Sequence, residues 1–180
     1  MSFLLRFLGI DAASASKEGH QTGTTGLSEI ATQLDGYDPR KARFLAAFAY
    51  VLARVAAADL EVDRSEIAEM QRIVQTLADL AEDEARLVVT MATAEAVEKG
   101  GTQNYLVTRE LRSVSTREQR TKLLHCLFAV GAADGSISAA EGNEISAIAE
   151  ELGFLPAEAN AVKGLFRDKL ATIQGLPTRK

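Results

Sequence analysis

Two stretches of this chain repeat one another at a fixed spacing. Ala133-Asp134-Gly135-Ser136-Ile137-Ser138-Ala139-Ala140-Glu141 has a weaker copy at Ala58-Asp59-Leu60-Glu61-Val62-Asp63-Arg64-Ser65-Glu66. Asp59 and Asp134 are 75 residues apart, and so are Glu66 and Glu141. The register continues on both sides without a gap. Leu52 matches Leu127, Val55 matches Val130, Glu69 matches Glu144, Ile73 matches Ile148, Leu77 matches Leu152 and Leu80 matches Leu155. A repeat of this length implies one supersecondary unit used twice. Each copy reads as the end of one helix, a tight turn and the capped start of the next.

Apolar spacing fills in the rest of each unit. Helix A should run from Pro39 to about Ala58, with Phe44, Phe48, Val51, Leu52 and Val55 as its stripe. Alanines at 46, 47, 49, 53, 56, 57 and 58 leave its other faces small, so it should be central, with neighbours on several sides. Asp38 before Pro39 is an N-cap followed by proline at the first helical position. Asp63-Arg64-Ser65-Glu66 resembles a capping box opening helix B, which carries Ile67, Met70, Ile73, Val74 and Leu77 to about Leu80. Helix C opens near Glu82-Asp83-Glu84, where negative charge suits the helix dipole, and runs to Gly100-Gly101.

Residues 102–114 should join the copies through a short helix using Tyr105, Leu106 and Leu111. Ser115-Thr116-Arg117-Glu118 is a capping-box candidate for helix A′, which continues to about Ala133. Ser138-Ala139-Ala140-Glu141 opens helix B′ in the same way, and Gly153 stops it. Pro156 starts helix C′, with Val162, Leu165, Phe166, Leu170 and Ile173. No segment alternates like a strand. The expected fold is all-α: a helical bundle of two duplicated three-helix units, about 40–100 and 116–174, within a domain of 40–175.

Residues 1–39 read as an N-terminal tail and flexible linker. Gly, Ser, Thr and Ala dominate 9–26, with little to bury. Before them, Phe3, Leu4, Phe7 and Leu8 would share one helical face. Packing on the body, docking to a partner and peripheral membrane association through residues 1–10 are its three readings. Too few cations flank it for firm attachment to an anionic membrane, and no run approaches the roughly 18 apolar residues of a membrane span. A formal net charge of −5 argues against a nucleic-acid partner, while leaving room for a local basic patch. The one cysteine, Cys126, forms no intrachain disulfide and makes a cysteine zinc site improbable; among leucines and Phe128 it reads as a small core residue. A cytoplasmic protein is expected.

The candidate site residues are the junction acids. Asp59 and Asp134 end helices A and A′, Glu66 and Glu141 lie in the next first turns, and Glu69 and Glu144 follow one turn on. Asp63 adds a further carboxylate to the first junction. Several carboxylates beside loop carbonyls suit a hard divalent cation, Ca²⁺ above all, which accepts roughly 6–8 oxygens in loose geometry. The competing reading is capping: Asp or Ser with Glu three residues later satisfies open helix N–H groups without metal. An EF-hand is excluded. Val130 and Ala132, and upstream Val55 and Ala57, stand where such a loop needs oxygen ligands.

The paired Ala-Asp-x-x-(Val/Ile)-x-x-x-Glu junctions, each followed by an apolar helix, resemble the tellurite-resistance TerB-like family over roughly residues 40–173. That resemblance implies an all-helical fold with two similar halves, and it establishes no enzymatic activity. It also implies acidic regions that bind divalent cations, a role in tellurite and other stress resistance, and partners such as J-domains. By position it singles out Asp59, Glu66, Asp134 and Glu141, with Asp63, Glu69 and Glu144 as weaker additions. The first copy departs from the pattern with Leu60 in place of Gly135, and leucine avoids positive φ. Tellurite itself is an oxyanion that an acidic surface repels. No phosphate-binding glycine loop, nucleophile elbow or HExxH zinc signature occurs. The reading is therefore a non-enzymatic stress-response module that binds divalent cations and engages a protein partner. Its alternative is a metal-independent helical scaffold with an N-terminal docking peptide.

Overall fold

Helix A becomes the hub that its composition demands. In a computed structural model, residues 30, 32–56, 64–93 and 101–174 are described. Helix α1 spans Pro39–Ala56, and every side chain from Phe44 through Ala53 is buried. Its start is the one expected: Asp38 Oδ1 accepts from the amides of Arg40 at 3.0 Å and Lys41 at 3.2 Å. Helices α2 (Arg64–Ala78), α3 (Glu82–Thr93) and α4 (Gly101–Val114) follow, then α5 (Arg117–Gly131), α6 (Ala139–Glu151), α7 (Pro156–Gly164) and the short α8 (Ala171–Gln174). Helix α1 touches α3, α4, α5 and α6. Its alanines allow this, because a neighbour's side chains can approach the backbone where no bulky group intervenes.

Helix α5 ends at Gly131 and α6 begins at Ala139, whereas the junction between α1 and α2 lies outside the described residues. The two copies are not interchangeable in their surroundings. Helix α1 packs on α3, α4, α5 and α6, whereas α5 packs on α1, α2, α6 and α7.

Three elements differ from the sequence reading. Helix α4 is a full helix packed on α1, and its inward face is Val107, Leu111 and Val114, with Thr108 also buried. These positions recur at i, i+4 and i+7. Tyr105 and Leu106 point outward instead, 58% and 48% exposed. The capping box of α5 is shifted by one residue: Thr116 is the N-cap, its Oγ1 accepts from Gln119 N, and Gln119 reaches back to Thr116 N. Helix C′ breaks after Gly164. A 3₁₀ turn at Arg167–Lys169 redirects the chain, so Leu165 is exposed while Phe166 stacks on Phe128 with ring centroids 5.7 Å apart. Leu77 and Leu155, both in the repeat register, are also exposed.

Upstream of α1, residues 32–35 are helical, and Ile30 and Leu34 are buried in the core. The apolar segment 3–8, the linker 9–26, the first junction through Asp63, and the last residues from Gly175 lie outside the described residues. Among the described residues, no helix is long and apolar enough to cross a membrane.

Candidate functional site

The second junction is built by glycine, two side-chain caps and a strap from the C-terminal turn. Helix α5 ends at Gly131, and the chain turns through Gly135 at φ +105°, a conformation that glycine adopts without a Cβ penalty. Asp134 Oδ1 accepts from Ser136 N at 3.0 Å, which holds the turn. Ser138 is then the N-cap of α6. Its Oγ accepts from Glu141 N at 3.2 Å, and Glu141 Oε2 accepts from Ser138 N at 2.9 Å. The capping box read from the sequence is therefore formed.

Glu141 is also buried, 7% exposed, which an ordinary surface cap is not. Gly131 makes room for it. A Cβ at Gly131 would stand 3.3 Å from Glu141 Oε1, so the glycine lets the last turn of α5 come this close without the carboxylate shifting by a few tenths of an ångström. The strap closes the other side. Ile137 N donates to Lys169 O at 2.6 Å, and Ala171 N donates to Ile137 O at 3.0 Å. Gln174 Nε2 donates to Gly135 O at 3.1 Å and to Asp168 O at 3.0 Å. The loop carbonyls of Gly135 and Ile137 are thus already hydrogen-bonded within the protein.

The third acid of this copy faces elsewhere. Glu144 Oε1 accepts from Arg54 Nε at 2.6 Å. Glu151, two turns further along the same face of α6, accepts from both terminal nitrogens of Arg54, at 2.8 and 3.3 Å. The Arg54 side chain is only 7% exposed, against 32% and 24% for Glu144 and Glu151. Burial by itself disfavours the guanidinium's charge. The hydrogen bonds that Arg54 donates to Glu151 and Glu144 outweigh it, and the Arg54 pKa lies above its ordinary value. One turn before it, Tyr50 donates its hydroxyl to Asn104 Oδ1 at 2.8 Å, and burial raises the phenol's pKa. A charged clamp thus fastens α6 to α1, with α4 attached through Tyr50.

In the first copy only the outer acid can be placed. Glu69 accepts from Arg72 at 2.6 and 2.9 Å, an exposed i,i+3 pair on α2. Asp59 and Asp63 lie outside the described residues, as does the side chain of Glu66. Among the described residues, no group of three or more His, Cys, Asp or Glu side chains gathers closely enough to hold a metal ion. Asp134, Glu141 and Glu144 accordingly serve three different neighbours.

A family model described as tellurite resistance protein TerB matches residues 44–164. The chain belongs to the TerB family. The matched region begins inside α1 and ends with α7, so it contains both junctions and the Arg54 clamp. No curated protein and no solved structure matches the chain.

The clamp of this TerB domain was absent from the sequence reading, yet a signal for it exists. Arg54 is the lone charge between Phe44 and Ala58. A charge on a helix buried on all sides needs a partner, and Glu144 and Glu151, at i and i+7 on α6, supply two. Cys126 is the core residue that was expected: it is buried, and burial pushes its thiol up to about 12.

Proposed function

We propose that this TerB domain is a non-enzymatic module of the tellurite-resistance response that acts by engaging a protein partner, and that its second acidic junction is a structural lock. One observation carries the reading. Each acid of that junction has a partner within the chain: Asp134 the amide of Ser136, Glu141 the amide of Ser138, and Glu144 the guanidinium of Arg54. Carboxylates held this way shape the turn after α5, cap α6 and tie α6 to α1. The chemistry read from the sequence supports the non-enzymatic part, since no nucleophile or phosphate-loop signature is present. A cytoplasmic setting belongs to the same proposal, supported by the single cysteine.

Divalent-cation binding is the second reading, and the first junction favours it. Asp59, Glu61, Asp63 and Glu66 put four carboxylates within one short stretch, where the second copy has only Asp134 and Glu141. Calorimetric titration of chelator-treated protein with calcium, magnesium competing, separates the two readings. Under the structural-lock reading, Asp134→Ala/Glu141→Ala changes no cation heat, and affinity capture of the partner persists in chelator. Saturable calcium binding that Asp59→Ala/Glu66→Ala abolishes, with capture lost in chelator, would replace it by the cation reading.

A further inference from the structure

At the corner where α4 meets α5, four arginines gather about the ends of two helices, α4 and α6. Arg120 Nη1 donates to Arg112 O and Ser115 O, each at 3.1 Å, and Arg40 Nε reaches Val114 O at 3.0 Å. Arg117 Nη1 donates to Gly153 O at 3.0 Å, and its guanidinium lies 3.9 Å over the Phe154 ring. Arg112 lies against the other side of Gly153, its Cζ 2.9 Å from where a Cβ would stand. Gly153, at φ +81°, ends α6 in a Schellman turn, with Phe154 N on Ala149 O and Gly153 N on Glu150 O, and its lack of a Cβ lets the guanidinium sit this close.

Carboxylates are scarce among these cations. Arg117 pairs with Glu158 at 2.6 Å. Among the described residues, no acid pairs with Arg40, Arg112 or Arg120. The nearest acids in sequence are committed or stand apart: Asp38 caps α1, Glu110 pairs with Arg43 and Glu118 pairs with Lys122, while Glu150 remains exposed on the last turn of α6. Carbonyls at a helix C-terminus welcome positive charge, and that accounts for Arg40 and Arg120. It does not account for Arg112, whose side chain makes no hydrogen bond among the described residues. The guanidiniums also work against each other: burial first, then the charges of Arg117 and Arg112, lower the pKa of Arg120.

We propose that this arginine corner is the docking surface for an acidic, leucine-bearing segment of a protein partner, and that Arg112 is its principal cation. The proposal rests on the partner reading above and names the surface and its chemistry. Charge complementarity selects an acid: the chain carries a net −5, yet this corner holds cations with a single paired carboxylate among the described residues. Apolar surface selects a peptide over a bare oxyanion. Leu155, 66% exposed, follows directly on the Phe154 ring beneath Arg117, and a free anion would leave it unused. The negative charge of the remaining surface repels an extended anionic membrane.

Fluorescence anisotropy of the full chain tests this, with a labelled peptide of glutamates and leucines and a glutamine–leucine peptide as neutral control. The acidic peptide should bind saturably and weaken as salt rises, while the neutral one does not bind. Arg112→Glu should cost about tenfold in affinity, and Arg112→Lys should keep most of it. Both variants should melt close to the wild type, because the Arg112 side chain makes no hydrogen bond or ion pair among the described residues and only packs on Gly153. The proposal falls if the two peptides bind alike, if neither binds, or if Arg112→Glu leaves affinity unchanged. It also falls if phosphatidylserine vesicles or inorganic phosphate bind in an Arg112-dependent way and the peptide does not. Should Arg112→Glu retain a partner captured by the wild type, this surface is wrong while the partner reading stands.

Discussion

Glu69 and Glu144 occupy the same position in the two copies and have different fates. Glu69 pairs with Arg72, one turn away on its own exposed helix surface. Glu144 crosses to α1 and binds a buried arginine that Glu151 also holds. The repeat itself accounts for neither. Arg54 has Ala129 as its counterpart, Glu151 has Thr76, and Arg72 has Ala147. A duplicated acid therefore becomes an interhelical fastener or a solvated pair according to the cation that the neighbouring helix presents. A charge at a dry interface matters more than the same charge in water, because its partner replaces lost hydration.

Breaking the clamp should give the largest effect. Arg54→Ala leaves Glu144 and Glu151 facing α1 unpaired and should cost about 2–3 kcal/mol, less than a fully buried pair because both carboxylates reach water. Urea unfolding followed by circular dichroism measures it. Arg72→Ala, the matching change in the first copy, should leave the midpoint where it was. Equal losses from the two variants would erase the distinction between the copies.

The second junction's lock comes next. Ser138→Ala should cost about 1 kcal/mol through the lost N-cap. Glu141→Ala should cost somewhat more, about 1–2 kcal/mol, since it also empties the space beside Gly131. Glu141→Gln should recover most of that, because an amide oxygen still accepts from Ser138 N. If the junction needed a cation instead, Gln would fail as Ala does and calcium would raise the wild-type melting temperature. Gly135→Ala should cost about 1 kcal/mol from its positive φ alone, as no atom lies within 4 Å of an added Cβ.

Acid and alkali probe the outer ties of the two halves with smaller effects. In the first half, the Tyr37 hydroxyl donates to Asp83 at 2.9 Å and holds that carboxyl below its usual range. In the second half, the Leu155 amide and then Arg117 do the same for Glu158. Both contributions are present above the unfolded carboxylate range and are lost as pH falls through the depressed values. Tyr37→Phe should therefore flatten the acid limb of the stability profile, and so should Arg117→Ala. Burial, then the bond to Asp83, pushes Tyr37 up to about 12. Its contribution is complete below the unfolded value near 10 and disappears as pH rises from there to about 12. Tyr37→Phe should remove that alkaline loss, measured by urea midpoints across the pH series.

Much of the architecture was legible because its signals are local. Asp38-Pro39, Ser138 with Glu141, and Gly153 act on backbone groups within a turn of themselves, so the sequence places them directly. The central role of α1 could be read from its alanines, since small residues on all faces have one common explanation. The reading failed where a helix face depends on what lies opposite. Tyr105 and Leu106 were expected inside and point to water, because α4 turns Val107, Leu111 and Val114 toward α1. Leu165 lost its place when the chain bent after Gly164 to pair Ile137 with Leu170.

The sequence by itself determined an all-helical chain, the boundaries of most helices, the spacing of two acidic junctions and a resemblance to TerB that the family match bears out. Tertiary structure alone decided that Glu144 crosses to Arg54, and that Glu141, whose cap on Ser138 is local, is buried beside Gly131. Periodicity fixes the angle at which a side chain leaves its helix. Which partner waits there depends on a helix distant in the chain, such as α1, whose Arg54 stands 90 residues before Glu144, and that information is not local.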